Sequence, residues 1–277
     1  MRHKLSLAAT GAVALFALTA CGGSSTPSAE SPNPEEPVVV TVGAMPVPHA
    51  KILEYVDQNL APEAGIDIEI QEFDDYQTPN IALAEGSIDV NYYQHLPWFE
   101  DQVATKGYEF EHGAGIHIEP YAAFSQHASV EEIPDGGMVA ITNDPSNQLR
   151  ALNLLEKGGL LQNIEDDTTA LSLTEEQNPK GLEFEENQPE VLVQQVQDPQ
   201  VDVAIVNGNY ILEAGMSTED ALLVEDVTAE NPYANFLAWR AGESTPAIEK
   251  LEELMQSDEV KQFIKESWPN GDVMPTE

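Results

Sequence analysis

The chain contains a single cysteine, Cys21, in 277 residues. A disulfide needs two, so no bridge within the chain can hold the fold and a hydrophobic core has to do so. Basic residues are nearly as scarce: 11 Lys and Arg stand against 49 Asp and Glu, for a net charge of −38. A surface of that sign repels nucleic-acid phosphates and anionic lipid headgroups, so no nucleic-acid partner is expected. The acidity fits adaptation to salt or solubility, and for a pocket it implies only a preference for neutral, zwitterionic or cationic ligands. Long apolar runs are missing beyond residue 20, no segment repeats, and the apolar stretch at residues 5–20 is too short to span a bilayer.

What is present begins with that stretch. Met1-Arg2-His3-Lys4 followed by apolar residues 5–20 has the layout of a secretory signal peptide, residues 1–20. It ends in Leu18-Thr19-Ala20-Cys21-Gly22, which resembles the lipobox of bacterial lipoproteins, where cleavage precedes a cysteine that receives lipid. Cys21 is therefore the expected lipidation site, and acyl chains at about 0.8 kcal/mol per buried methylene would anchor the chain to a membrane. Residues 21–37 are rich in Ser, Pro and Glu and lack apolar side chains, which predicts a disordered tether. Without Arg2 and Lys4, nine basic residues face 49 acidic ones, a net charge of −40.

From Val38 onward the pattern alternates between strand and helix. Residues 38–42 are β-branched and closed by Gly43; Ile52, Leu53, Val56 and Leu60 recur at helical spacing; Ile66, Ile68 and Ile70 alternate with polar residues. Thr78-Pro79 reads as a helix cap and first turn, with a short strand at residues 88–90 and a helix from Pro97 to Lys106. The same grammar returns at strand 139–141, at the helix opened by Asp144-Pro145, at the buried strand 201–206, and at two C-terminal helices, the first capped by Thr245-Pro246. Proline interrupts extended segments at Glu119-Pro120-Tyr121 and Asn231-Pro232-Tyr233, where breaks between two halves are expected.

No catalytic centre is legible. Nucleophilic catalysis needs a nucleophile beside a base, and acid–base catalysis needs carboxylates in contrasting surroundings. The acids are instead spread along polar faces, so no catalytic residue, cofactor or metal is expected. Glu111-His112 and His117-x-Glu119 lack the spacing of a helical zinc pair and are expected in a solvated strand or loop. Arg150 stands out among so few cations, because its planar fork suits a carboxylate with two parallel hydrogen bonds, supplied by a ligand or by a surface acid. Asn207 follows a buried strand and Asn235 lies beside a break; each amide could serve a ligand's ammonium or carboxylate, or shape a turn. Tyr76, Tyr93, His95 and Trp98 could wall a pocket or pack in the core.

Several long segments carry a resemblance. They are Phe73-Asp74-Asp75-Tyr76-x-x-Pro79-Asn80-x-Ala82-Leu83, Gly86-x-Ile88-Asp89-x-Asn91-x-Tyr93-Gln94-His95-x-Pro97-Trp98 and Asn143-Asp144-Pro145-Ser146-Asn147-x-x-Arg150-x-Leu152-x-Leu154-Leu155. With Asn178-Pro179-Lys180, Ala204-x-Val206-Asn207 and Pro232-Tyr233-x-Asn235, in this order, the chain resembles the substrate-binding lipoproteins of methionine ABC importers, the NlpA or MetQ-like family. The resemblance implies an α/β fold like that of periplasmic binding proteins, with two lobes, two crossover strands and a ligand cleft between the lobes. The first lobe would hold residues 38–121 and 231–277, the second 122–230.

It also implies a binding role without catalysis. Arg150, Asn207 and Asn235 would hold the backbone charges of an amino acid, with Asn143 in the same site, while Tyr76, Tyr93, His95 and Trp98 would surround a methionine side chain. Trp98 stands where the family often has tyrosine and Tyr93 where phenylalanine is common, which bears on pocket size and polarity. Glu119 is left out because its counterpart varies in type. The implied partners are L-methionine or a close analogue, an ABC permease with its ATPase, and the membrane through the lipid on Cys21, with the protein a monomer on the extracytoplasmic face. The alternatives are the D-isomer, a methionine dipeptide or another sulfur compound as ligand, an adhesion or assembly role on the same fold, or a hydrolase acting in the cleft.

Overall fold

The computed structural model describes residues 30–227 and 231–277. The expected signal peptide and Cys21 lie outside the described residues. Within the expected tether, residues 33–37 depart from disorder: Asn33 N–H donates to Gly65 O at 3.2 Å, and Glu36 N–H donates back to Asn33 O at 3.0 Å. Gly65 permits this docking, because a Cβ there would lie 2.3 Å from the Asn33 backbone nitrogen.

The first half of the chain lays down β1 (Val38–Ala44), α1 (Lys51–Asn59), α2 (Ala61–Ala64), β2 (Ile66–Glu72), α3 (Thr78–Glu85), β3 (Val90–His95), α4 (Leu96–Lys106), β4 (Phe110–His112) and β5 (His117–Ile118). The chain then enters a second sheet through β6 (Ala122–Phe124), β7 (Met138–Thr142), α5 (Pro145–Lys157), β8 (Glu183–Asn187), α6 (Leu192–Gln195), β9 (Val203–Val206), α7 (Gly208–Glu213) and β10 (Leu223–Val224). It returns with β11 (Asn235–Arg240), α8 (Pro246–Met255), α9 (Asp258–Ser267) and β12 (Met274–Pro275).

The first sheet runs β12-β5-β11-β3-β1-β2 with β4 also on β11, and the second runs β10-β6-β9-β7-β8. Parallel pairing of β1 with β2 and β3, and of β7 with β8 and β9, leaves helices to cover the faces, as βα units require. The chain changes sheet twice, between Ile118 and Ala122 and between Val224 and Asn235, so two lobes share two crossover segments. Each lobe has its own core: Val40, Ile52, Leu53 and Leu251 in the first, Val139, Leu152, Leu155 and Ile205 in the second.

Two local expectations are corrected, one by tertiary contacts and one by a neighbouring side chain. The strand placed at 88–90 is Val90–His95, and all six residues are buried because β1 and β11 flank it on both sides. Full burial erases the alternation that would have marked it. Thr78 is already helical, and Asp75 does the capping, its Oδ1 accepting from the N–H groups of Gln77 and Thr78 at 2.6 and 2.7 Å. Asp144 and Thr245 cap as expected, accepting from Asn147 N–H and Ile248 N–H. Among the described residues no helix is long and apolar enough to cross a membrane.

Candidate functional site

A narrow cavity lies between the lobes. Its first-lobe wall is aromatic, made by Tyr76, Tyr93, His95 and Trp98, and its second-lobe wall is polar, made by Asn147, Arg150, Asn207 and Asn209. The crossover residue Glu119 and Asn235 at the start of β11 complete it. Seven of the eight expected ligand residues therefore converge. Asn143 does not: it is exposed and borders a neighbouring opening behind Tyr76 and Trp98. It sits outside the helix, where Asp144 takes the cap and the Asn143 N–H donates to Asn187 O, so Asn147 and Arg150, one turn and two turns in, present their face to the cavity instead.

The aromatic wall is fastened by hydrogen bonds. Trp98 Nε1–H donates to Tyr93 Oη at 3.2 Å, Tyr93 O–H donates to Tyr76 O at 3.0 Å, and the Tyr76 and Trp98 rings lie 6.0 Å apart. His95 caps α4: its Nδ1 accepts from Trp98 N–H, so Nε2 carries the proton and donates to Asn147 Oδ1 at 3.0 Å. Burial, then the nearby Arg150 charge, push the His95 pKa down to about 3, and the ring is neutral.

This fixed tautomer orients the amides. Asn147 Oδ1 also accepts from Asn207 Nδ2 at 3.2 Å, which leaves Asn207 Oδ1 buried and without a partner among the described residues. Asn209 Oδ1 accepts from Tyr76 O–H at 2.5 Å, which leaves Asn209 Nδ2 in the same state. A buried polar atom left unpaired costs about 1–3 kcal/mol, so one free acceptor and one free donor on this wall favour a ligand that offers both roles.

Arg150 behaves differently from the expectation. The fork formed by Nε and Nη2 is taken by Glu225, at 3.0 and 2.5 Å, and Nη2 also donates to Glu119 O at 2.9 Å. The parallel pair of bonds expected for a ligand carboxylate is thus made within the protein, and Nη1 is the edge that those bonds leave over. The guanidinium is sandwiched by Tyr233 at 4.1 Å and Tyr121 at 5.0 Å, one from each crossover. Desolvation opposes its charge, but Glu225 holds the pKa above the ordinary arginine value.

Glu119 and His117 overturn the expectation of a solvated strand or loop. Both are buried, and His117 Nε2 lies 2.8 Å from Glu119 Oε1. His49 Nε2, from the segment before α1, is 3.3 Å from the same oxygen and 3.1 Å from Asn235 Oδ1. The pairing of β5 with β11 and β12 buries His117, a neighbour relation that residue spacing along the chain does not carry. His49, His117 and Glu119 present ligand atoms within 4.8 Å of one another, a donor set that could also hold a metal ion.

Gly208, at the start of α7, allows that helix to meet the crossover. A Cβ there would lie 2.5 Å from Glu119 Cβ and 3.3 Å from Pro120 O. Neither neighbour is the far end of a flexible side chain, so Gly208→Ala should lower stability by about 1–3 kcal/mol and weaken ligand affinity. Chemical denaturation and calorimetry on the same variant check this, and a wild-type midpoint with wild-type affinity would contradict it.

The NlpA lipoprotein family pattern matches residues 40–277. The chain belongs to the NlpA lipoprotein family. This NlpA-family protein is 33% identical to the methionine-binding lipoprotein MetQ of Bacillus subtilis over 98% of each chain. Among solved structures, a nutrient binding protein from Burkholderia cenocepacia bound to methionine superposes with a TM-score of 0.79 at 34% identity, covering 86% of this chain and all of that one (100%). An ABC transporter periplasmic substrate-binding protein from Coxiella burnetii matches at 33% identity with a TM-score of 0.78, covering 86% of this NlpA-family chain and 100% of its own. The cavity is also lined by Gln94, Asn147, Gly208 and Asn209, which are not among the expected site residues, and by Glu119, which the resemblance leaves out. Only Asn147 carried a usable signal, standing three residues before Arg150 on one helical face.

Proposed function

We propose that this protein is the extracytoplasmic substrate-binding lipoprotein of an ABC importer and that it takes methionine in the interlobe cavity. What carries the reading is a single cavity that combines Arg150, Glu119 and the free atoms of Asn207 and Asn209 with the rings of Tyr76, Tyr93 and Trp98. A zwitterion can meet the polar groups while a thioether gains about 0.3–1.5 kcal/mol against an aromatic ring in addition to burial. Relatives named for methionine binding and for ABC transport support the same assignment.

In this reading residues 1–20 are removed as a signal peptide, Cys21 carries the lipid, and residues 21–37 connect it to the lobes. Residues 38–121 with 231–277 form the first lobe and 122–230 the second. The protein delivers its ligand as a monomer to a permease and ATPase, and it performs no reaction. Hinge motion at the two crossovers opens and closes the cavity.

Native mass spectrometry of the full chain purified from cells should show an adduct of methionine mass. Calorimetry should then rank L-methionine above leucine by roughly tenfold or more, the discrimination a shaped apolar pocket reaches. Absence of any amino-acid adduct, or preference for the D-isomer or a methionine dipeptide, would overturn the assignment.

A further inference from the structure

We propose that His49, His117 and Glu119 form a binding site for one divalent transition-metal ion of the zinc class. The site goes beyond the amino-acid reading and does not depend on it.

Separate segments of the chain build it. His117 on β5 and Glu119 just beyond it are alternate residues, and their side chains meet, with His117 Nε2 at 2.8 Å from Glu119 Oε1. His49, from the segment between β1 and α1, brings its own Nε2 to 3.3 Å from the same oxygen. Each residue thus presents one ligand atom, and the three atoms lie within 4.8 Å of one another. Around a tetrahedral ion with bonds of about 2.0–2.2 Å, ligand atoms sit about 3.3–3.6 Å apart, so shifts of about 1 Å or less close these donors on one ion.

The rings are held ready. His49 packs edge-on against Tyr92 and against His117, with 4.8 Å between centroids in each pair. His117 Nδ1 bonds Tyr92 Oη, and a hydroxyl accepts as well as it donates. The His117 ring proton can therefore sit on Nδ1, facing the phenol, and leave the Nε2 lone pair to an ion, as the outer partner of a metal-bound histidine does. His49 Nδ1 has no partner among the described residues, so no bond there has to break when the proton of that ring moves to it. All three side chains are buried, and the surrounding strands and rings fix where their ligand atoms point.

The donor set selects the ion. Two imidazoles with one carboxylate suit zinc and its neighbours, whereas calcium and magnesium take shells of six or more oxygens, and no thiolate is present to favour a softer ion. Three protein ligands leave one position, for water or for Asn235 Oδ1, which lies 3.1 Å from His49 Nε2. Glu119 and Asn235 both line the interlobe cavity, which gives an ion its way in.

The test titrates zinc chloride into the full chain, stripped of metal with a chelator and free of amino acid. Excess magnesium chloride is present to occupy exposed carboxylates. Calorimetry should show one zinc bound per chain, and cobalt(II) in its place should give the strong visible absorption of a four-coordinate ion. Loss of an outer partner alone costs about 10–100-fold in metal affinity, so Tyr92→Phe should weaken zinc by about tenfold, and Glu119→Gln or His117→Ala by roughly 100-fold or more. His127→Ala, whose ring bonds Asp202 away from the site, should leave the titration unchanged.

Zinc binding that disappears in excess magnesium would place the ion on surface acids and overturn the site. So would the weak absorption of six-coordinate cobalt, or wild-type zinc affinity in Glu119→Gln. Should His117→Ala fail to fold, the nearly isosteric Glu119→Gln and the cobalt spectrum of the wild type decide the matter. Because no amino acid is present, loss of the methionine reading leaves this result standing, and a protein that takes no zinc leaves the methionine reading standing.

Discussion

Arg150→Ala is expected to abolish high-affinity ligand binding and to lower folding stability by about 3–5 kcal/mol, the cost of removing one partner from a buried ion pair. Both effects come from the same guanidinium. It faces the cavity, and it also bonds Glu225 through Nε and Nη2 and Glu119 O through Nη2. Without it, the partly buried Glu225 keeps only the Tyr121 N–H, at 3.2 Å, as a donor among the described residues. The rings of Tyr121 and Tyr233 lose the cation between them, so both crossovers come away from α5 at once. Arg150→Lys should rescue charge but not geometry, because an ammonium cannot make two parallel bonds to Glu225 while also reaching the crossover carbonyl. Calorimetry with methionine and chemical denaturation of the empty protein read the two losses. Wild-type affinity in the alanine variant would remove Arg150 from the ligand site and leave it as a fastening between α5 and the crossovers.

Trp98→Ala is the second large effect, and its signature is selectivity. Truncating a buried indole costs about 3–5 kcal/mol when the surroundings cannot collapse. Here they are held: Tyr76 is tied to Asn209, and Tyr93 to the Tyr76 carbonyl. The hole therefore stays open on the aromatic wall. Methionine affinity should fall, and amino acids with longer or branched apolar side chains should gain relative to it. Trp98→Phe separates the two contributions of the indole, since it keeps a ring against Tyr76 but loses the bond from Nε1–H to Tyr93 Oη. A panel of amino acids titrated into both variants reads the outcome, and an unaltered rank order in Trp98→Ala would show that the indole packs without shaping the pocket.

The chain by itself determined most of the elements and the family. Helix starts at Asp144 and Thr245 were legible because a cap is a contact between residues three apart, and apolar spacing marked α1 and α8 for the same local reason. Long motifs located Tyr76, Tyr93, His95, Trp98, Arg150, Asn207 and Asn235, which the structure brings to one cavity.

Tertiary structure alone decided the chemistry around them. Arg150 meets Glu225 across 75 residues and Tyr76 meets Asn209 across 133, and nothing in either neighbourhood announces the other. His117 and Glu119 looked like solvated polar residues, since burial of β5 depends on its partners β11 and β12, which come more than a hundred residues later. Asn143 and Asn147 lie four residues apart on the same motif, and only the direction in which α5 leaves its cap separates the exposed one from the one facing the cavity. Sequence periodicity encodes which face of an element is buried; which groups then share that buried space is set by how the sheets are ordered and how the lobes meet.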